Sequence, residues 1–157
     1  MTDTTTTPAT PSSDGPHERM EVTGLADYLA AMTKMVFQAG MGAAVVKAKW
    51  EGFTEAFDSF DCETVAALSP DDIDRLCEDS RIIRNRRKIE ATVHNAGKLL
   101  DLEAAGGFED WLTGHPSPAE RDKALRREFK LLGPAGIEAF LWMVGVGGPS
   151  LPVASDP

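Results

Sequence analysis

Apolar residues recur at helical spacing along nearly the whole chain. Leu25, Leu29, Met32 and Val36 fall at i, i+4, i+7 and i+11, which predicts an amphipathic helix ending near Gly40. Gly40 and Gly42 permit a sharp break before a second helix from Ala43 to Lys49. The stretch from Trp50 through Phe60 predicts further helix, with Phe53, Phe57 and Phe60 facing inward, and Thr64 to Leu68 a short one. Ser69-Pro70 then reads as an N-cap followed by Pro at the first helical position. Asp71, Asp72 and Asp74 suit the positive end of that helix, which runs to about Asp79.

Ile89, Val93, Ala96 and Leu100 predict a long helix from about Arg84 to Ala105, stopped by Gly106-Gly107, with Arg84, Lys88 and Asn95 on its opposite face. Phe108 to Leu112 makes a short helix. Leu125, Phe129 and Leu132 define another from Pro118 to about Phe129, and Ile137, Leu141 and Val144 a last one from Pro134 to about Val144. No alternating strand pattern of useful length and no internal repeat occurs. The expected fold is all-α: a compact helical domain with a helix-hairpin-helix element.

Composition sets the boundaries. Residues 1–21 are rich in Thr, Pro and Ser with little to bury, and 148–157 are Gly/Pro-rich. Both read as disordered tails, which leaves 22–147 as the folded domain. No apolar run approaches the ~20 residues that span a bilayer, and the N-terminus lacks an apolar signal region. A cytoplasmic monomer without membrane partners is the expectation. Cys62 and Cys77 stand apart with no CxxC spacing, so reduced thiols are expected, with no metal and no cofactor.

The net charge of −9 argues against a nucleic-acid partner until its distribution is considered. Residues 51–79 carry ten acidic side chains and one basic, Arg75. Residues 81–98 carry Arg81, Arg84, Arg86, Arg87, Lys88 and Lys98 against Glu90 alone. One segment supplies the acidity and hides a basic neighbour.

Three features could carry function. Glu128 to Ile137 (EFKLLGPAGI) forms a tight turn between helices, and the second helix would start with free N–H groups able to hold a phosphate oxygen. Lys130, Leu131, Leu132 and Gly133 would then meet DNA without reading its sequence. An ordinary helix–helix corner explains the same pattern, and Pro134 supplies no N–H. In the basic run Arg84, Arg86, Arg87 and Lys88, positive charge sits at a helix start, where the dipole disfavours it. Phosphate contact and a salt-bridged surface both account for it. Glu138, among Ile137, Phe140 and Leu141, is a candidate for a buried acid, unless helical phase turns it to solvent.

Together these segments resemble the DNA-3-methyladenine glycosylase I family. QAG at 38–40, the stretch at 50–102 and FKLLG at 129–133 carry the resemblance. IIRNRRKIEATVHNA at 82–96 is its most specific part. It implies a helix-hairpin-helix enzyme acting on double-stranded DNA with alkylated bases, which flips the base and hydrolyses its N-glycosidic bond. Carried over, residues 129–133 become the phosphate-gripping hairpin, and Arg84, Arg86 and Lys88 its basic flank. The Gln38–Gly42 turn would lie beside the flipped base, with Met41 as a wedge. Phe37, Gln38 and Trp142 are candidates for the pocket lining, and core packing accounts for each of them equally.

The chain departs from the family where the base is recognised. The family's N-terminal Cys, Tyr-His-Asp motif and pocket aromatics fall on the Thr/Pro/Ser tail. Its C-terminal His and Cys, which complete a structural zinc site, have no counterpart in GGPSLPVASDP. The base-recognising glutamate falls on Met35, and a Trp falls on Ala43. A thioether cannot accept hydrogen bonds from an adenine edge as a carboxylate does. Two expectations follow: a divergent N-glycosylase, or a catalytically inactive helical module binding DNA or protein.

Overall fold

Helix α1 (Leu25–Gln38) begins where Asp27 reaches back to the backbone N–H groups of Thr23 and Gly24, at 2.7 and 3.2 Å. It buries Leu29, Met32 and Val36 as their spacing predicts, together with Tyr28, Met35 and Phe37. Wrapping apolar residues around so much of one helix requires neighbours on several sides. The computed structural model describes residues 19–146. Within them the chain continues through α2 (Ala43–Ala48), α3 (Trp50–Ala56), a 3-10 turn (Asp58–Phe60), α4 (Cys62–Ala66), α5 (Pro70–Leu76), α6 (Arg86–Gly106), α7 (Phe108–Thr113), α8 (Pro118–Glu128) and α9 (Pro134–Val144). No strand occurs among the described residues, and none of their helices is long and apolar enough to cross a membrane.

The expected helix through Phe60 breaks at Phe57. Asp58, Ser59 and Phe60 take positive φ values of 52°, 56° and 61°. This fold-back places the Phe60 ring 5.0 Å from that of Trp50 and 5.8 Å from that of Phe57. A continuous helix would hold residues 50 and 60 about 15 Å apart. Aromatic stacking and burial therefore outweigh local helical propensity. The next helix starts two residues early, at Cys62, because Asp61 caps it by accepting from the Thr64 N–H at 2.9 Å. At α5 the Ser69 cap forms as expected, and the Asp72 carboxylate reciprocates by accepting from the Ser69 N–H at 2.9 Å. Gly52 is required for close approach: a Cβ there would lie 2.2 Å from the Arg81 carbonyl oxygen.

Helix α6 is the centre of the domain, packed against α1, α4, α5 and α7. It starts at Arg86, capped by Asn85, rather than at Arg84, which lies in the preceding loop. Its buried residues are Ile89, Ala91, Thr92, Asn95, Ala96 and Leu99, so burial extends well beyond the single stripe its aliphatics suggest. Asn95 thus belongs to the interior, not to an exposed opposite face.

The N-terminal boundary also shifts. The Met20 N–H donates to the Met143 carbonyl at 2.9 Å, and Met20 packs on the core. Residues 19–21 therefore belong with the domain, while the tail assignments for 1–18 and 148–157 fall outside the described residues.

Candidate nucleic-acid interface

The turn between α8 and α9 is pinned by two buried side chains, Phe129 and Leu132, with exposed Lys130 and half-buried Leu131 between them. Leu131 takes φ 59°, a left-handed conformation costly for a residue with a Cβ. Gly133, by contrast, is extended at φ −85° and ψ −178°. It is the N-cap of α9, without a side chain to cap it, and a Cβ there would meet nothing within 4 Å. Gly133, Pro134 and Ala135 are exposed. The first-turn N–H groups of Ala135 and Gly136 have no intrahelical acceptor and stand at the positive end of the α9 dipole.

Two neighbouring residues of α6 hold this hairpin. The Asn95 carboxamide oxygen accepts from the Lys130 N–H at 2.8 Å, and its NH2 donates to the Lys130 carbonyl at 3.3 Å. Asn95 is 1% exposed. His94 Nε2 lies 3.1 Å from the Glu128 carbonyl, an acceptor only, so that nitrogen carries the proton. The Glu128 carboxylate binds Arg127 at 3.1 Å and Lys98 at 3.3 Å, and these contacts hold its pKa below the ordinary glutamate range against the opposing effect of burial. Sequence reasoning missed His94 and gave Asn95 no role. The available signal was phase, since Thr92, Asn95 and Leu99 recur at i, i+3 and i+7.

A second turn, Gln38 to Gly42, docks two helical turns earlier on α6. It is built from glycine: Gly40 and Gly42 take φ 82° and 92°, and the Gln38 carbonyl accepts from the N–H groups of Met41 and Gly42 at 2.9 and 2.8 Å. Lys88 Nζ donates to the Phe37 and Ala39 carbonyls at 3.2 and 2.6 Å and so closes the C-terminal end of α1. Burial lowers the pKa of Lys88. At the tip, Met41 is 42% exposed, and nearby Val45 is 39% exposed. The half-buried Gln38 ends α1 beside this tip.

Several expected site residues stand elsewhere or serve other ends. Lys88 is committed to α1 rather than to a basic flank. Arg86 pairs with Asp74 of the adjacent acidic segment and with Glu90 of its own helix, and these carboxylates neutralise it. Arg84 and Arg87 are exposed and pair with no acidic group among the described residues. Phe37 is fully buried edge-on against Phe53, at 4.7 Å between centroids, so its ring belongs to the core and not to an open pocket wall. The Trp142 ring is covered by the Arg19 guanidinium at 3.8 Å. Glu138 is exposed, since helical phase turns it outward while Ile137, Phe140 and Leu141 point in. Leu132 is turned inward, so it serves the hairpin as an anchor.

Met35 is 5% exposed beneath the start of α9, where a Cβ on Gly136 would lie 3.5 Å from both Met35 Cβ and Leu132 Cδ1. An apolar side chain thus lies directly under the hairpin. A cavity of about 230 Å³, lined by residues including Leu112, His115, Arg121 and Val146, opens at the other end of α9. No cluster of His, Cys, Asp or Glu among the described residues is disposed to hold a metal ion. Cys62 and Cys77 are both free thiols.

The family profile described as methyladenine glycosylase matches residues 26–132. A DNA-3-methyladenine glycosylase of Haemophilus influenzae is 32% identical over 131 residues, covering 69% of this chain and 71% of that protein. The structure of a 3-methyladenine DNA glycosylase I superposes with TM-score 0.70 at 28% identity, covering 82% of this chain and 85% of the other. The Staphylococcus aureus 3-methyladenine DNA glycosylase I, whose structure was determined for recognition of 3-methyladenine, aligns with TM-score 0.72 at 25% identity over 89% and 90% of the two chains.

Proposed function

Because this chain belongs to the methyladenine glycosylase family, we propose that it is a DNA repair enzyme that releases alkylated, 3-methyladenine-like bases from duplex DNA. One observation carries the assignment of its DNA face. The hairpin at 129–133 and the Gln38–Gly42 turn are fastened to the same helix, through Asn95 and Lys88 respectively. Seven residues of α6 separate the fasteners, about 10 Å and two turns, so both lie on one side of it.

Each turn suits a different task on a duplex. The first-turn N–H groups of α9 and the exposed Lys130, Arg84 and Arg87 provide phosphate contacts that position the protein without specifying sequence. The apolar tip at Met41 suits insertion into the gap left by an extruded nucleotide, beside the Gln38 carboxamide, which can both donate to and accept from a base edge. An N3-alkylated adenine is cationic and already a good leaving group. The protein's main work is then to take the base from the stack and hold the sugar as it gains oxocarbenium character under attack by water.

Met35 favours a second reading, a module that grips DNA without turnover. A thioether under the hairpin offers no carboxylate to an adenine edge. Base release from methylated duplex DNA, comparing wild type with Gly133→Asp, separates the two. Release of methylpurine that the variant loses supports the glycosylase. Salt-sensitive binding without release identifies the grip alone.

A further inference from the structure

We propose that Asn95 is a positioning residue for DNA engagement, and that its clamp on the Lys130 peptide sets the geometry with which the hairpin meets phosphate. The proposal rests on the glycosylase reading and adds to it a residue that never touches DNA.

The hairpin has to present Lys130 and the start of α9 outward together. Between them Leu131 adopts a left-handed conformation that a branched side chain disfavours. Such a conformation persists where its surroundings over-determine it. Phe129 and Leu132 pin the two ends in the core, but neither controls the rotation of the peptide units between them. Asn95 does. By accepting from the N–H of Lys130 and donating to its carbonyl, it fixes both peptide planes that flank Lys130. Asparagine fits this place because one carboxamide carries an acceptor and a donor side by side. Aspartate would set a lone pair against the Lys130 carbonyl, and alanine would leave both backbone groups unpaired. His94 secures the Glu128 carbonyl, two residues upstream, so consecutive residues of α6 hold the entry to the turn.

The test compares duplex binding and base release for wild type, Asn95→Ala and Asn95→Asp, well below their melting temperatures. Val65→Ala in α4, buried in a helix that packs on α6, α1 and the 3-10 turn, serves as a destabilised control. Asn95→Ala should weaken duplex affinity roughly tenfold and lower the salt slope by about one phosphate contact, while Val65→Ala stays near wild type. The release rate at saturating DNA should fall much less than the affinity. Asn95→Asp should bind poorly at pH 8 and recover relative to wild type as pH falls toward 5, because its carboxyl regains a proton to donate to the Lys130 carbonyl. This pH profile carries the test even where Asn95→Ala fails to fold.

Equal affinities for the Asn95 variants and Val65→Ala, with no pH recovery, would overturn the positioning role while leaving the glycosylase reading intact. A wild-type protein with neither salt-sensitive duplex binding nor base release would overturn both.

Discussion

The two turns that α6 holds are built from opposite materials. The Gln38–Gly42 turn makes its bend with two glycines in the left-handed region and exposes an apolar tip. The hairpin at 129–133 makes its bend with a leucine in that region, while its glycine is extended and serves only as a helix cap. A turn of glycines costs no steric strain and adapts to what it meets. A turn that forces leucine left-handed must be held, and Asn95 holds it from the interior. The contrast teaches that a compliant element suits insertion into a base stack, and a rigid one suits repeated phosphate contact at fixed spacing.

The difference can be attacked from either side. Lys88→Met keeps the apolar stem and removes the ammonium from two carbonyls. It should cost about 2 kcal/mol of stability, seen as a lowered melting temperature. Base release should fall more than duplex affinity if the Gln38–Gly42 turn is the wedge, because that turn is loosened and the hairpin is not. Equal losses in both would end the division of labour.

Gly133→Asp should act on the hairpin with opposite signs. An aspartate in place of glycine at an N-cap stabilises a helix by roughly a few tenths of a kcal/mol, and space for its side chain is open. The same charge faces incoming phosphate, so duplex affinity should drop about tenfold. Gly133→Ser, a neutral cap, should gain stability without that loss, and weakened binding in Gly133→Ser would point to shape instead of charge.

Met41→Ala should leave the unfolding free energy within about 0.5 kcal/mol of wild type, since the side chain is exposed. It should slow release from a paired lesion more than from a mispaired one, whose extrusion costs less. Equal slowing on both substrates would remove Met41 from the wedge role.

The smallest effect is one of pH. The Glu128 carboxyl titrates below its ordinary range, so the unfolded chain binds more protons between the folded value and the ordinary glutamate value. Its stabilisation is present above that window and lost as pH falls through it. Chemical denaturation from pH 7 to 3 should therefore show a smaller acid-linked loss for Glu128→Gln than for wild type.

Much of the fold was legible from spacing alone. The stripe of α1, the cap at Ser69, the glycine stop after α6 and the helices on either side of Pro134 all appear where local preference and periodicity place them. The break at Phe57 was not legible, because it depends on rings ten positions apart meeting face to face. Nor was the need for Gly52, which answers to a carbonyl 29 residues away. Motif spacing drew attention to residues 82–96 and 129–133, and it exposed the change at Met35. It assigned Lys88 and Arg86 to DNA because a run of positive charge looks the same whether it faces phosphate or carbonyls and carboxylates.

The sequence by itself therefore determined most elements of this protein: where its longer helices lie, which residues are apolar enough to form the core, and which family pattern they follow. These depend on backbone preferences and on burial, which act over a few neighbouring positions. Only the tertiary structure decided what the polar residues of α6 do. Whether Lys88 closes a helix end, Arg86 finds Asp74 or Asn95 grips the Lys130 peptide depends on partners distant in sequence. A hydrogen bond is decided within a few tenths of an ångström, a precision that exists only once the helices have packed.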